Sequence, residues 1–184
     1  PVKHPLVSEI VITNDSNDEA DLRKALDGIP KVRIIQNKVN MGVFGNKVES
    51  VAHCTNEWVQ MVDSDNVMDA SYIDKLEKLQ LWDASIIYCP SFARPSFDYS
   101  DMIGPMFLKD AQDRSQRRNF GSAMNTGNQF IHKPTFMEVF GKYRGPRFDM
   151  VLPNYFTPSD RKNIIWRQIY DASDSYFINT TWLS

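Results

Sequence analysis

Up to Pro90, apolar residues fall into short dense blocks separated by polar clusters. Glu9-Ile10-Val11-Ile12-Thr13 is β-branched and runs into Asn14-Asp15-Ser16-Asn17-Asp18, a set of turn formers. That predicts a buried strand closed by a loop. Residues 18–27 place acids first and then Leu22, Ala25 and Leu26 on one face, a short helix stopped by Gly28 and Pro30. Val32 to Gln36 reads as a second strand, Asn37 to Gly42 as a loop and Val43 to Cys54 as a helix. Glu57 to Val62 is a third strand, closed by Asp63-Ser64-Asp65-Asn66. Ala70 to Trp82 predicts an amphipathic helix with Ile73, Leu76, Leu79 and Leu81 near helical spacing. Ser85 to Cys89 is a fourth strand, ended by Pro90.

Strands and helices therefore alternate, and the strands are continuous apolar runs. This predicts an α/β fold: a mostly parallel, Rossmann-like sheet flanked by helices on both faces. Ligands of such sheets bind beyond the carboxyl ends of the strands. The polar clusters 14–18 and 63–66 both lie at such ends.

After Pro90 the pattern changes. Residues 91–126 hold Pro95, Gly104, Pro105, Gly121 and many charges, and read as an irregular segment over the site. Residues 134–141 predict a short helix with Pro at its start. Ser159 suits the N-cap of a helix from Asp160 to Tyr170, and Tyr176-Phe177-Ile178 reads as a last strand. The whole of 1–184 is expected to be one domain, with 91–184 an acceptor-side elaboration of 1–90.

Composition narrows the function classes. The chain of 184 residues has 21 Lys plus Arg against 23 Asp plus Glu, a net charge of −2. That balance argues against a nucleic-acid binder held by phosphate contacts. No apolar run approaches the roughly 18–20 residues that span a bilayer. Pro1 to Ser8 lacks the layout of a secretory signal. Cys54 and Cys89 show no CxxC and no zinc spacing, which fits a reducing, cytoplasmic setting.

Three constellations carry chemistry. In Val62-Asp63-Ser64-Asp65-Asn66, two carboxylates at a strand end can hold a divalent cation and a sugar hydroxyl. Taken alone, a polar turn explains them better. An EF-hand does not fit, since Met68 and Asp74 stand where Gly and Glu belong. Asn14 to Asp18 can meet a nucleobase or ribose, or simply form an Asx-rich turn. In Asn40-Met41-Gly42-Val43-Phe44-Gly45-Asn46-Lys47, Lys47 could reach a base or phosphate, or be a solvated lysine. The loop is neither GxGxxG nor a Walker A motif. Arg117 and Arg118 could clamp a diphosphate, and His132 could bind metal, although a lone His beside an apolar run is more often structural. Phe92, Phe97, Tyr99, Phe107 and Trp166 could stack on a sugar, but core packing is the commoner role. His4 and His53 suggest no chemistry.

Order and spacing change this picture. The runs EIVITNDSNDEADL, VRIIQNKVNMGVFGNKVESV and WVQMVDSDNVMDASYIDKL, in that order, resemble the glycosyltransferase A fold, and in particular family 2 of the nucleotide-sugar glycosyltransferases. That family reads apolar strand–DDGSxD, then NxGxxxARN, then apolar strand–DxDD. The match covers about residues 8–80. Asn125 to Lys133 is similar to the family's GN-apolar-basic segment, with Phe140-Gly141 where the family has Gly-Gly.

The resemblance implies roles. Asn14 stands at the base-binding acid, beside Asp15, with Ser16 at the family serine. Asn40 and Gly42 match the loop motif, and Lys47 stands at its arginine. Asp63 matches the ribose- or sugar-side acid and Asp65 the metal ligand. With Ser64 between them, they form the candidate set for Mn²⁺ or Mg²⁺. Gly127 and Asn128 flank the donor sugar. Asn for Asp at 14 and Lys for Arg at 47 leave the base identity open, since a lysine cannot form a planar fork. The family's opening strand and Pro-x-Tyr-Asn loop have no counterpart before Glu9, so part of the native N-terminus is expected to be missing, and the chain could be a domain of a larger protein. The catalytic Glu-Asp pair is also absent. Asp160, after a capping serine, is the first candidate for the general base and Asp149 the reserve. Asp160 is equally explained as an ordinary first-turn acid.

The implied activity is metal-dependent transfer of a sugar from a nucleoside-diphosphate sugar to a glycan or other hydroxyl acceptor. Inversion is the family tendency. Neither nucleic acid nor a transmembrane segment is implied. The alternatives are a sugar-phosphate nucleotidyltransferase, which lacks its expected Gly-rich basic loop here, and a non-catalytic nucleotide-sugar or glycan-binding module.

Overall fold

Ile10–Asn14 forms strand β1, Glu19–Ala25 helix α1 and Val32–Gln36 strand β2 in the computed structural model. The structure describes residues 3–90, 92–93, 97–98, 104–107, 129–140 and 179–183. β1 and β2 pair in parallel, Ile10 opposite Val32 through Asn14 opposite Gln36. A parallel pair needs a crossover, and α1 supplies it. Its acids Glu19 and Asp21 lie in the first turn and Arg23 and Lys24 in the last, as the helix dipole favours.

Next come α2 (Gly42–His53), β3 (Trp58–Gln60), α3 (Ala70–Lys78) and β4 (Ile86–Pro90). Short strands follow: β5 (Phe92–Ala93), β6 (Phe97–Asp98), β7 (Gly104–Phe107) and β8 (Phe130–His132). Helix α4 (Lys133–Phe140) and strand β9 (Asn179–Leu183) complete the described elements.

The larger sheet has the order β3-β8-β4-β9-β7. Here the expectation of a mostly parallel sheet is corrected. β8 runs antiparallel to both β3 and β4, and β7 antiparallel to β9, while β4 and β9 are parallel. Thus β3 and β4 keep a common direction but are not neighbours. Among the described residues, β1 and β2 make no ladder with this sheet. The βα alternation sets strand direction, but it does not reveal that a three-residue strand from far along the chain inserts between two earlier ones. The expected irregular segment after Pro90 also contains pairing: β5 and β6 form an antiparallel pair, and β7 lies at the sheet edge. Pro105 is tolerated there because an edge strand can lack one donor.

Helix α3 ends earlier than its periodicity predicts. Asp69 caps its start by accepting from the Ser71 amide. Lys78 is its last residue, Gln80 adopts φ +58°, and Leu81 turns out to solvent at 88% exposure. Trp82 then folds back, and its Nε1 donates to the Leu76 carbonyl at 2.8 Å. That bond satisfies a backbone group near the helix end. The buried cluster is Tyr72, Leu76, Tyr88 and Phe130, with Trp58, Met68, Trp82 and Ile86 packed against it. Trp58 stacks on Phe130 with ring centroids 5.3 Å apart.

Helix α2 contacts both β1 and α4. Its C-terminal carbonyls receive two cations. Lys133 Nζ donates to Ala52 O at 3.0 Å and to Cys54 O, and Arg33 Nη2 donates to His53 O. Cations at this end complement the helix dipole, by roughly 0.3–1 kcal/mol each and up to ~2 where partly buried. At its other end, the Met41 amide donates to Asp15, which holds the N-terminus of α2 near the carboxyl end of β1.

The predicted helix at 160–170 and strand at 176–178 lie outside the described residues. No helix among the described residues is long and apolar enough to cross a membrane.

Candidate active site

The turn after β1 is built by its own side chains. Asn14 Nδ2 donates to Asp18 Oδ1 at 2.9 Å and to Gln36 Oε1 at 3.0 Å. Its Oδ1 accepts from the amide and hydroxyl of Ser16, at 3.2 and 2.8 Å. Hydrogen bonds from Ser16 and Asn14 hold the Asp18 carboxyl below its usual range. Both ends of the Asn14 amide are therefore occupied in shaping an Asx turn.

Asp15 ties this turn to the next loop. Its Oδ1 accepts from Asn37 Nδ2 at 2.5 Å and its Oδ2 from the Met41 amide at 3.0 Å. Asn37 also donates to Asn46 Oδ1 at 2.9 Å. Asn40 Oδ1 accepts from the Gly42 amide at 2.9 Å, and Gly42 opens α2 with φ +69°, a conformation that favours glycine. Asn37, Asn46 and Gln36 are site-building residues that pattern reasoning passed over; the signal was the density of amide side chains between 36 and 46.

Lys47 points from α2 to the turn after β3. Its Nζ lies 2.6 Å from Asp63 Oδ1, with the two side chains 21% and 24% exposed. The Asn66 amide donates to the Asp63 carbonyl at 3.0 Å and closes that turn. Ser64 and Asp65 are exposed, and the Asp65 carboxylate makes no hydrogen bond or ion pair among the described residues. Gln129, buried at 5% exposure, accepts from the Met61 amide at 2.9 Å through its carbonyl. Gly127, Asn128, Asp149 and Asp160 lie outside the described residues, as do Tyr99, Arg117, Arg118 and Trp166.

Two histidines have structural partners. His132 Nδ1 lies 2.8 Å from Thr135 Oγ1, and its ring lies 5.2 Å from that of Trp58. His4, Asp74 and Glu77 form a cluster the sequence did not suggest. His4 Nε2 is 3.0 Å from Asp74 Oδ1 and 3.9 Å from Glu77 Oε2. His4 Nδ1 accepts from the Leu6 amide at 3.2 Å, so the neutral ring carries its proton on Nε2 and donates to Asp74. A ring with its proton there offers no Nε2 lone pair to a metal.

The family model described as glycosyl transferase family 2 matches residues 3–140. The chain belongs to glycosyl transferase family 2. Its activity is of the glycosyltransferase type, which uses a nucleotide-sugar donor and an acceptor. The family implies an α/β fold of the glycosyltransferase A kind, and the described residues are α/β with a parallel pair and a mixed sheet. The matched range takes in every polar cluster described above except residues beyond 140.

Proposed function

We propose that this chain is an inverting, metal-dependent glycosyltransferase that moves a sugar from a nucleoside-diphosphate sugar to a glycan or other hydroxyl acceptor. The observation that carries the reading is the placement of Lys47 against Asp63, beyond the carboxyl end of β3, with Asp65 open to solvent in the same turn. Acidic and basic groups at a strand end are what a diphosphate and its counter-cation require.

The residues present fit a divalent cation. A solvent-facing carboxylate without a protein partner is a suitable hard-oxygen ligand for Mn²⁺ or Mg²⁺, and Asp65 is such a group. When bound there, the cation would neutralise charge on the leaving diphosphate. Asp63 would accept from a ribose or sugar hydroxyl with the oxygen that Lys47 leaves available. Asn14 and Asp15, with Asn40 and Gly42, would shape the base-side wall, acting through the turns they hold rather than through unpaired amides. Ser64, Gly127 and Asn128 are assigned to the donor-sugar side. The general base is assigned to Asp160, with Asp149 as the alternative; it takes the acceptor proton as the hydroxyl attacks the anomeric carbon.

The test is a thermal-shift screen of nucleotides and nucleotide-sugars with and without Mn²⁺. A ligand of the folded state raises its stability. A nucleoside diphosphate should raise Tm in the presence of Mn²⁺, and Asp65→Ala should remove the Mn²⁺-dependent part. Failure of every nucleotide and nucleotide-sugar to shift Tm would overturn the reading.

A further inference from the structure

We propose that Lys47 is a built-in counter-cation for Asp63 that withholds this carboxylate from the divalent cation. The inference deepens the reading above and rests on it for the presence of a metal.

The geometry is asymmetric across one short turn. Asp63 has an ammonium 2.6 Å from Oδ1, whereas Asp65 is exposed and has no partner among the described residues. The Lys47 and Asp63 side chains are each about three-quarters buried, at 21% and 24% exposure. Partial burial strengthens their attraction and protects it from salt. The anchors on both sides are independent of the pair. Asp63 is fixed through its carbonyl by the Asn66 amide. Lys47 projects from a helix whose preceding residue, Asn46, is bonded to Thr13 and Asn37. A dication brought to Asp63 would meet the ammonium and would have to displace it. At Asp65 no such competitor is seen among the described residues. A lysine suits this task, since it is a compact charge on a flexible stem and can cover one oxygen while the second accepts from a ligand.

A neutral Lys47–Asp63 pair also lowers the negative charge that an incoming diphosphate faces. Removing the ammonium therefore has a distinctive signature. It exposes a second carboxylate beside Asp65, and Mn²⁺ binding should tighten. If Lys47 only shaped the helix surface, its loss would leave Mn²⁺ binding unchanged or weaken it.

The experiment is an electron paramagnetic resonance titration of free Mn²⁺ with the protein and no nucleotide. Lys47→Met should bind Mn²⁺ roughly tenfold more tightly than the unaltered chain, as expected for relief of a close charge–charge repulsion at intermediate dielectric. Lys47→Arg should match the unaltered chain. The double variant Lys47→Met with Asp63→Asn should lose the gain. Lys47→Gln is the second neutral variant should the methionine variant fail to fold. An affinity that is unchanged or weaker in the neutral variant, or a gain that persists in the double variant, overturns the proposal. Absence of Mn²⁺ binding in both the unaltered and the neutral variants overturns it as well. No donor is present, so failure of the nucleotide screen would sink the functional reading and leave this comparison standing.

Discussion

Thr13 and Asn46 hold each other through two reciprocal hydrogen bonds: Asn46 Nδ2 donates to the Thr13 carbonyl at 3.1 Å, and Thr13 Oγ1 donates to the Asn46 carbonyl at 3.1 Å. The pair fastens the second turn of α2 to the end of β1, one residue before Asn14. Asn46→Ala removes the bond from Nδ2, leaves the one to the Asn46 backbone carbonyl, and also leaves the Asn37 amide short of a partner. The expected cost is ~1–3 kcal/mol in urea unfolding, the usual penalty for stranding part-buried polar groups. Thr13→Val removes the other bond, and because both bonds hold the same pair of residues, its cost combined with Asn46→Ala should differ from the sum of the two. Strict additivity would show that the two bonds do not act as a unit.

Glu9 predicts the acid limb of stability. Burial pushes its carboxyl up, but hydrogen bonds from the Thr55 amide and hydroxyl, Asn56 and Arg33 together outweigh this and hold it below the usual value. A lowered folded pKa means the stabilisation is present above the ordinary glutamate value of about 4.3 and is lost as pH falls through the folded value. Glu9→Gln should therefore be less stable than the unaltered chain at neutral pH. The gap should narrow below about pH 4. Urea midpoints across that range would decide it; a constant gap would mean that the charge on Glu9 does not matter.

Cys54 is expected to be an inert thiol. Burial, followed by the nearby Glu9 charge, pushes it up to about 11, and its Sγ donates to the Ser50 carbonyl at 3.3 Å. Cys89 is fully buried. Thiolates, not thiols, react with disulfide reagents. Labelling of the native protein near neutral pH should be slow at both positions and become fast on unfolding. Glu9→Gln should speed labelling at Cys54 by removing a charge that disfavours the thiolate. Rapid labelling of Cys54 in the unaltered native chain would contradict its burial.

Asp160→Asn should preserve nucleotide affinity and lower turnover by roughly 10²–10⁴-fold, the range for loss of a general base. Single-turnover transfer from a nucleotide-sugar, once the donor is found, reads this out. If Asp160→Asn keeps full activity and Asp149→Asn is dead, the role belongs to Asp149. If both stay active, the single-base inverting mechanism is wrong for this chain.

Local pattern carried the element sequence well up to Pro90, because buried strands and amphipathic helices are properties of neighbouring residues. It located the turns at 14–18 and 63–66, and the spacing of those turns carried the family resemblance. It overran α3, since Leu79 and Leu81 keep helical spacing while Gln80 adopts a backbone that ends the helix. It could not place β8 between β3 and β4, which depends on pairs such as Trp58 with His132. Lys133 shows the same limit. In sequence it is a basic residue after Phe130-Ile131-His132; in the fold its ammonium caps a helix some eighty residues earlier. Contacts across such separations leave no local periodicity.

The insertion of β8 between β3 and β4 bears on how this protein could be cut and spliced. A swap of acceptor halves with a relative would tempt an engineer to join at Pro90. That junction runs through the middle of a sheet and a core: it removes Phe130 from its stack on Trp58, takes the strand away from β3 and strips Lys133 from the end of α2. Residues 129–140 should therefore travel with the first ninety residues, and a fragment ending at Pro90 should show no cooperative thermal transition. Strand β9 pairs with β4 in the same sheet, so a cassette that begins downstream of α4 has to leave Asn179–Leu183 in place as well.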